Sequence, residues 1–219
     1  MKKNLFIRIL SFIFPVTTNK YQSNFSGTIE ITLFNGKKMV DTENANYSYG
    51  SLQKILKFGL HKIPLDKIES ILILGLGAGS VIETLQKLNY NNTITAVEID
   101  PLMITIAKEE FGIANSDTTT IIKADAFEFL KQHQHSFDLI IIDLFIDTEV
   151  PNLVYESEFL VNLKNSINTN GWFIFNAALT DNNEKQTQTL ETFFNASFNL
   201  QTFKKVRNTN TLLIGQKNG

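Results

Sequence analysis

The chain of 219 residues contains no cysteine. This absence excludes disulfide bonds, thiolate nucleophiles and zinc sites built from cysteine, and it fits the reducing cytoplasm, where we expect the protein to reside. An excess of one charge is also lacking, since 20 basic and 22 acidic residues leave a formal net charge of −2 at pH 7. Without a broad basic face, we expect no tight binding to a nucleic-acid backbone.

Long apolar runs are scarce as well. The apolar stretch near the N-terminus, residues 5–14, is interrupted by Arg8 and is well short of the roughly 20 residues that a helix needs to span a bilayer. No small-residue cleavage site follows it, which argues against a signal peptide. We therefore expect residues 1–20 to form an amphipathic segment that packs on the domain or on a second subunit, without a membrane span. An export or membrane role is the alternative.

What is present is the composition of an ordinary globular protein, with 43% hydrophobic and 19% charged residues. A small β-hairpin unit is predicted at residues 21–48. Within it, residues 28–33 alternate apolar and polar side chains, and Asn35 with Gly36 favours a hairpin turn before a returning strand. The larger domain is predicted to occupy residues 49–219.

From residue 70 onward, short apolar runs alternate with helical patterns. The predicted strands are 70–74, 93–98, 119–123, 138–143 and 171–176. The helices are predicted to begin at Ser80, with Glu83 completing a capping box, at Asp100 and after Asp125, and to span 156–167 and 183–195. This order predicts an α/β, Rossmann-like, doubly wound sheet of seven mainly parallel strands. The runs 198–206 and 211–216 predict a C-terminal antiparallel hairpin.

The most informative stretch joins the first of these strands to a helix. Gly75, Gly77 and Gly79 lie in the turn, and Glu98 ends the following strand. Glycines let the backbone pass close to a ligand, and an acid at the second strand end can accept hydrogen bonds from both ribose hydroxyls. The pattern indicates a nucleoside site, with a tight turn that binds no ligand as the alternative.

Acidic residues end three consecutive predicted strands. Ligands of doubly wound sheets bind outside the carboxyl ends of the strands, so we expect Glu98, Asp125 and Asp143 to lie in one crevice. The alternatives are a helix cap at Asp125, which is compatible with ligand binding, and a solvent-facing carboxylate at Asp143.

A dinucleotide site is the main rival, because Gly75, Gly77 and Ser80 approximate its fingerprint. Three features argue against it: the third glycine is displaced to Gly79, a further acid follows the third strand, and the chain is too short for a separate substrate domain. No metal site is expected either, because the two histidines before the fourth strand lack a third ligand.

A resemblance to a known family is carried by four stretches, Ile71–Ser80, Val97–Pro101, Lys123–Leu130 and Phe137–Asp143. They resemble the class I S-adenosylmethionine-dependent methyltransferase fold and, within it, the spermidine synthase family. The resemblance covers roughly residues 21–217 and implies an enzyme, a transferase that uses S-adenosylmethionine or its decarboxylated form. The family's tendency, together with the apolar N-terminus, suggests a homodimer.

The resemblance also implies roles for individual residues. The implied cofactor-binding residues are Gly75, Gly77, Gly79, Glu98, Ile99, Asp125, Ala126 and Asp143. Glu98 would hold the ribose hydroxyls, and Ile99 would pack on the adenine. Asp125 would accept a hydrogen bond from the adenine amino group, with Ala126 offering its backbone N–H. Asp143 would be the catalytic residue that orients or deprotonates an attacking amine.

The chain departs from the family pattern on the acceptor side. Tyr49 is followed by glycine and serine where aminopropyltransferases usually carry a His-Glu pair, and Asp143 and Asp147 are more widely spaced. A diamine needs several carboxylates to replace its hydration, so we expect methyl transfer to a small amine or related nucleophile. The expected substrate contacts are Tyr47, Tyr49 and Asp147. The alternatives are polyamine aminopropyl transfer from decarboxylated S-adenosylmethionine and a non-catalytic nucleoside-binding module.

Overall fold

A computed structural model gives the architecture of the chain. It describes residues 2–42, 46–146, 149–178 and 184–219, apart from the side chains at 2–4, 46–48, 51 and 178. Over these residues a small antiparallel sheet precedes a larger, mainly parallel sheet. The larger sheet carries the candidate site, and the smaller one covers a neighbouring helix.

The N-terminal part consists of one helix and four strands. They are α1 (Lys2–Leu10), β1 (Val16–Ser23), β2 (Gly27–Phe34), β3 (Lys37–Thr42) and β4 (Asn46–Ser48). The strands pair in chain order, and the β2–β3 hairpin turns at Asn35 and Gly36, both with positive φ. This hairpin is the one that the sequence predicts. β1 begins at Val16, inside the range of 1–20 that the sequence assigned to an amphipathic segment.

The rest of the chain alternates strands and helices. The helices are α2 (Gly50–Leu60), α3 (Ser80–Lys87), α4 (Pro101–Phe111), α5 (Ala126–Gln132), α6 (Ser157–Asn165) and α7 (Glu184–Asn195). The strands are β5 (Ser70–Leu74), β6 (Thr93–Glu98), β7 (Thr119–Lys123), β8 (Phe137–Ile142), β9 (Ile167–Ala178), β10 (Phe198–Val206) and β11 (Asn210–Lys217). Short 3₁₀ turns lie at Leu65–Lys67 and Asn152–Tyr155.

The seven strands of the large sheet follow the order β10-β11-β9-β8-β5-β6-β7. All neighbours from β9 to β7 are parallel, whereas β11 runs antiparallel to both β9 and β10. The structure therefore confirms the predicted fold class, including the C-terminal antiparallel hairpin.

The central strands are buried on both faces of the sheet. Ile71 and Ile73 of β5 pack into one hydrophobic layer, and Leu72 and Leu74 pack into the other; none of the four is accessible to solvent. A strand covered by helices on both sides needs an uninterrupted apolar run. This requirement explains why the sequence pattern located these strands correctly.

α4 and α5 begin at aspartate caps, whereas α2, α3 and α6 begin without a side-chain cap. Asp100 caps α4, because its Oδ1 accepts a hydrogen bond from the backbone N–H two residues later at 2.8 Å. The capping box predicted at Ser80 and Glu83 is wrong. Gly79 is the residue before α3, and the Glu83 carboxylate instead accepts a hydrogen bond from Gln53 Nε2 at 2.6 Å.

The small sheet packs on α4. Its apolar contact with the larger domain includes Ile29, Ile31, Val40, Met103 and Ile106. Ser23 Oγ donates to Asp100 Oδ2 at 2.5 Å at one end of the helix. At the other end, Tyr21 Oη and Lys38 Nζ donate to the Glu110 carboxylate at 2.9 and 2.6 Å. Polar contacts at both ends of α4 therefore hold the sheet in place.

The N-terminal segment is fixed to the β2–β3 turn but leaves apolar side chains exposed. Asn35 and Gly36 donate their backbone N–H groups to the carbonyl and hydroxyl oxygens of Ser11 at 2.8 and 3.0 Å. Six large apolar side chains have exposed fractions between 49% and 76%: Leu5, Phe6, Ile9, Phe12, Ile13 and Phe14. Across the described ranges, no helix has both the length and the apolar character required to traverse a lipid bilayer.

Candidate active site

The crevice expected from the sequence would lie where the order of the strands reverses. β5 has β6 on one side and β8 on the other, and ligands of doubly wound sheets bind at such a point, outside the carboxyl ends of the strands. Gly75 follows β5, and Asp143 follows β8. The backbone N–H of Asp143 donates to the carbonyl oxygen of Leu74 at 2.9 Å, which holds the two strand ends side by side.

The turn between β5 and α3 contains glycines with positive φ. The values are 91° at Gly75, 53° at Gly77 and 88° at Gly79. A Cβ at position 75 would overlap the backbone oxygen of Asp143, and a Cβ at position 79 would lie 2.8 Å from Ile113. Packing within the protein therefore requires glycine at these two positions. Close passage of this turn to a ligand stays a prediction.

Glu98 ends β6 beside this turn. Its two carboxylate oxygens accept hydrogen bonds from the backbone N–H groups of Gly77 at 2.9 Å and Asp100 at 3.0 Å. Burial raises the pKa of Glu98, and these hydrogen bonds oppose the rise. Each carboxylate oxygen has two lone pairs, so the fixed carboxylate keeps acceptor capacity for a diol.

The ends of β6 and β7 offer an apolar surface and a second acid. The side chain of Ile99 is 40% exposed, although its neighbours in β6 are buried. Asp125 Oδ1 accepts hydrogen bonds from the backbone N–H groups of Phe127 and Glu128 at 2.8 and 3.2 Å, so Asp125 caps α5. Ala126 is the first residue of α5, where the helix leaves backbone N–H groups without an intrahelical partner. The arrangement could hold the edge of an adenine, and this role stays a prediction.

Asp143 directly follows β8 and is partly buried, with some of its surface still accessible to solvent. Burial raises its pKa to about 6. Asn176 Nδ2, from β9, donates to its Oδ1 at 2.9 Å and favours the ionised form. A carboxyl group with this pKa is well matched to proton transfer near neutral pH.

Sequence reasoning missed two residues that serve Asp143. Asn176 is fully buried, and its Oδ1 accepts a hydrogen bond at 2.9 Å from Asn210 Nδ2, which is also fully buried. An asparagine at the end of an apolar predicted strand was the available signal for Asn176. Asn210 could not be identified from the sequence, because its hydrogen bond to Asn176 depends on β11 lying beside β9.

The predicted substrate contacts lie partly outside the described side chains. The ring of Tyr49 is buried and stacks on Phe111 with 4.1 Å between the ring centroids, and its hydroxyl donates to the carbonyl oxygen of Ala78 at 3.4 Å. The structure thus shows a packing role, and substrate contact by Tyr49 stays a prediction. Tyr47 belongs to β4, but its side chain is not described, and Asp147 lies outside the described residues.

Comparisons with known proteins agree with the sequence resemblance. A family model described as the spermine/spermidine synthase domain matches residues 52–217. The chain is 33% identical over 122 residues to a polyamine aminopropyltransferase of Sulfolobus acidocaldarius. It is 36% identical over 125 residues to polyamine aminopropyltransferase 2 of Aquifex aeolicus. These matches cover 52% and 53% of this chain but only 40% and 25% of the relatives, so the chain aligns with less than half of their length.

Solved structures share the fold. A probable spermidine synthase from Corynebacterium glutamicum superposes with a TM-score of 0.70 at 18% identity, over 92% of this chain and 80% of that chain. Human methyltransferase-like protein 13, solved in complex with SAH, gives a TM-score of 0.61 at 23% identity, over 76% of this chain and 80% of that chain. At these identities the likeness concerns architecture alone.

Proposed function

The chain belongs to the spermine/spermidine synthase family, and on that basis we propose that it transfers an aminopropyl group from decarboxylated S-adenosylmethionine to a small amine. Both curated relatives described above are polyamine aminopropyltransferases. The sequence alone favoured methyl transfer, but these relatives do not support that prediction. Methyl transfer is therefore the alternative that the experiment below must separate from aminopropyl transfer.

The residues around the crevice fit a nucleoside donor. Glu98 is held by two backbone N–H groups and can still accept from the ribose hydroxyls. Ile99 offers apolar surface to a flat base, and Asp125 uses one oxygen as a helix cap while the other can accept from an amino group. When bound, the donor supplies a carbon attached to a positively charged sulfur, which is a good leaving group.

Asp143 is the structural observation that supports transfer to an amine. At neutral pH an amine acceptor is largely an ammonium ion, which has no lone pair for attack. A carboxylate whose pKa is about 6 can hold this ammonium ion and accept its proton. The nitrogen then forms a bond to the donor carbon while the sulfur–carbon bond breaks, and the displaced proton resides on Asp143.

Product analysis with two donors tests the proposal. The protein is incubated with putrescine and either decarboxylated or full-length S-adenosylmethionine, and the products are identified by mass spectrometry. We expect an aminopropylated amine and 5′-methylthioadenosine from the decarboxylated donor. A methylated amine and S-adenosylhomocysteine from the full-length donor would overturn the proposal in favour of methyl transfer.

Two variants test the role of the acid. Asp143→Asn should lower kcat by about 100-fold and should weaken donor binding, measured by calorimetry, much less than it lowers kcat. Asp117→Asn is the matched control, because Asp117 is an exposed aspartate outside the crevice, and it should behave like the wild-type protein. Nucleoside binding without product from either donor would indicate the non-catalytic module instead.

A further inference from the structure

Two buried asparagine side chains connect the crevice to the C-terminal hairpin. Asn176 Nδ2 donates to Asp143 Oδ1 at 2.9 Å, and Asn210 Nδ2 donates to Asn176 Oδ1 at 2.9 Å. Both asparagines have no solvent-accessible surface. Because Asp143 follows β8, Asn176 lies in β9 and Asn210 begins β11, the connection crosses three strands of the large sheet.

The orientation of the Asn176 and Asn210 side-chain amides is set by the Asp143 carboxylate. An ionised carboxylate only accepts hydrogen bonds, so Asn176 must turn its amino group toward Asp143. Its carbonyl oxygen then faces away from the crevice and, being buried, needs a donor. Asn210 supplies that donor. If the Asn176 amide turned over, its oxygen would face the carboxylate, and the two acceptors would repel each other.

This arrangement leaves one polar atom unsatisfied. Among the buried side-chain nitrogen and oxygen atoms of the described residues, Asn210 Oδ1 is the one without a hydrogen-bond partner. An unsatisfied buried acceptor destabilises the fold. A polar residue that breaks a local rule without a packing gain points to a functional reason, and its contact with Asn176 supplies one.

We propose that Asn210 is a positioning residue that acts through Asn176 to hold the Asp143 carboxylate in one orientation. In that orientation Oδ1 is satisfied by Asn176, and Oδ2 is left for the acceptor. The identity of the acceptor rests on the proposed function, whereas the coupling of the three side chains does not.

The electrostatic surroundings make this coupling measurable. Burial and the Asn176 hydrogen bond are the influences on the pKa of Asp143, and no charged side chain in the described part of the chain adds to them. The hydrogen bond from Asn176 therefore opposes the effect of burial. A change in the orientation of the Asn176 amide should raise the pKa of Asp143.

The test is a double-mutant cycle read by carbon-13 NMR of the Asp143 carboxyl group in the ligand-free protein. Asn176→Leu should raise the pKa of Asp143 by about half a pH unit or more, and Asn210→Leu should cause a smaller rise. Adding Asn210→Leu to Asn176→Leu should cause no further rise, because Asn210 acts through Asn176. Thr211→Val, at the next position of β11, is the matched control and should leave the pKa unchanged.

Two results would overturn the proposal. The first is an unchanged pKa of Asp143 in folded Asn210→Leu. The second is that Asn210→Leu raises this pKa equally in the wild-type protein and in Asn176→Leu. If Asn210→Leu does not fold, the coupling can still be tested in the wild-type protein by NMR. The side-chain amide signals of Asn210 should then titrate with the midpoint of Asp143 and stop doing so in Asp143→Asn, while those of Asn199 should not respond. Asn210 amide signals that do not change with pH would refute the coupling. Full activity of Asp143→Asn would refute the proposed function without affecting this result.

Discussion

The backbone oxygen of Asp143 occupies the space in which a side chain at Gly75 would begin. The two residues follow the adjacent parallel strands β5 and β8, whose ends are joined by a backbone hydrogen bond from Asp143 to Leu74. The glycine turn and the candidate catalytic acid therefore share one packing contact, and displacing one should displace the other.

Gly75→Ala should destabilise the fold and weaken donor binding, because the new methyl group would push the Asp143 backbone away. Gly112→Ala is a matched control, since φ is 70° there and no atom lies within 4 Å of its Cβ position. The control should lose about 1–2 kcal/mol of unfolding free energy with unchanged affinity, and Gly75→Ala should lose more. Denaturant unfolding and calorimetry measure the two effects. Equal losses would mean that the contact with Asp143 has no consequence.

Glu98→Gln should weaken nucleoside binding at least tenfold, or about 1.4 kcal/mol. A glutamine places an amino group where Glu98 now accepts from either Gly77 or Asp100, so the side chain must rotate away from its present position. Glu109→Gln, on the exposed face of α4, serves as the control. Titration calorimetry with 5′-methylthioadenosine measures the affinity. Wild-type affinity in Glu98→Gln would contradict the prediction that Glu98 binds the ribose hydroxyls.

Asp143→Asn should make the protein more stable at pH 7 even though it lowers activity. The pKa of Asp143 is about 6 in the folded chain and about 3.9 when unfolded. Between these values the folded state binds more protons, so stability falls as pH rises through this window. The loss is nearly complete at about pH 7, one unit above the folded pKa, and amounts to about 3 kcal/mol. The gain in Asp143→Asn should therefore be nearly full at pH 7 and shrink toward pH 4. Denaturant unfolding at several pH values measures it, and a less stable variant at pH 7 would contradict the assignment.

Tyr49 substitutions should separate packing from substrate contact. Tyr49→Phe keeps the ring stacked on Phe111 and loses only the long hydrogen bond to Ala78, so stability and turnover should change little. Tyr49→Ala should cost about 3–5 kcal/mol, the usual effect of deleting a buried aromatic ring. Thermal unfolding and steady-state kinetics provide the measurements. A large loss of turnover in stable Tyr49→Phe would restore the predicted substrate contact.

The exposed apolar side chains of the N-terminal segment bear on the predicted dimer. Ile13 is 76% exposed and is one of six exposed apolar side chains in residues 5–14. Exposed apolar patches commonly mark an interface. If the chain associates through this segment, Ile13→Ser should shift the sedimentation coefficient to that of a monomer. Val161→Ser, at an exposed position of α6, should leave it unchanged. An associated particle that survives Ile13→Ser would place the interface elsewhere.

Local patterns predicted the large sheet well, because burial on both faces leaves a clear sequence signature. Residues 71–74 of β5 and 139–142 of β8 are uninterrupted apolar runs. Asp100 caps α4, which follows β6, and Asp125 caps α5, which follows β7. The start of β1 was not predicted. β1 is an edge strand whose middle residues are exposed, so its sequence does not alternate apolar and polar side chains.

The candidate site was predictable where it depends on topology and unpredictable where it depends on distant pairing. Glu98 and Asp143 end their strands, and a doubly wound sheet places such ends at one edge. Asn210 reaches Asn176 only because β11 lies between β9 and β10. The stacking of Phe111 on Tyr49 was also unpredictable, because the two residues lie far apart in the chain. Substrate contact by Tyr49 stays a prediction.

Asp100 joins three parts of the molecule at once. Its backbone N–H holds Glu98, one carboxylate oxygen caps α4, and the other accepts from Ser23 of the small sheet. A rigid-body movement of the small sheet away from α4 would therefore disturb the hydrogen bond between Asp100 and Glu98. We therefore expect the small sheet to keep its position on α4 when a ligand enters or leaves the site.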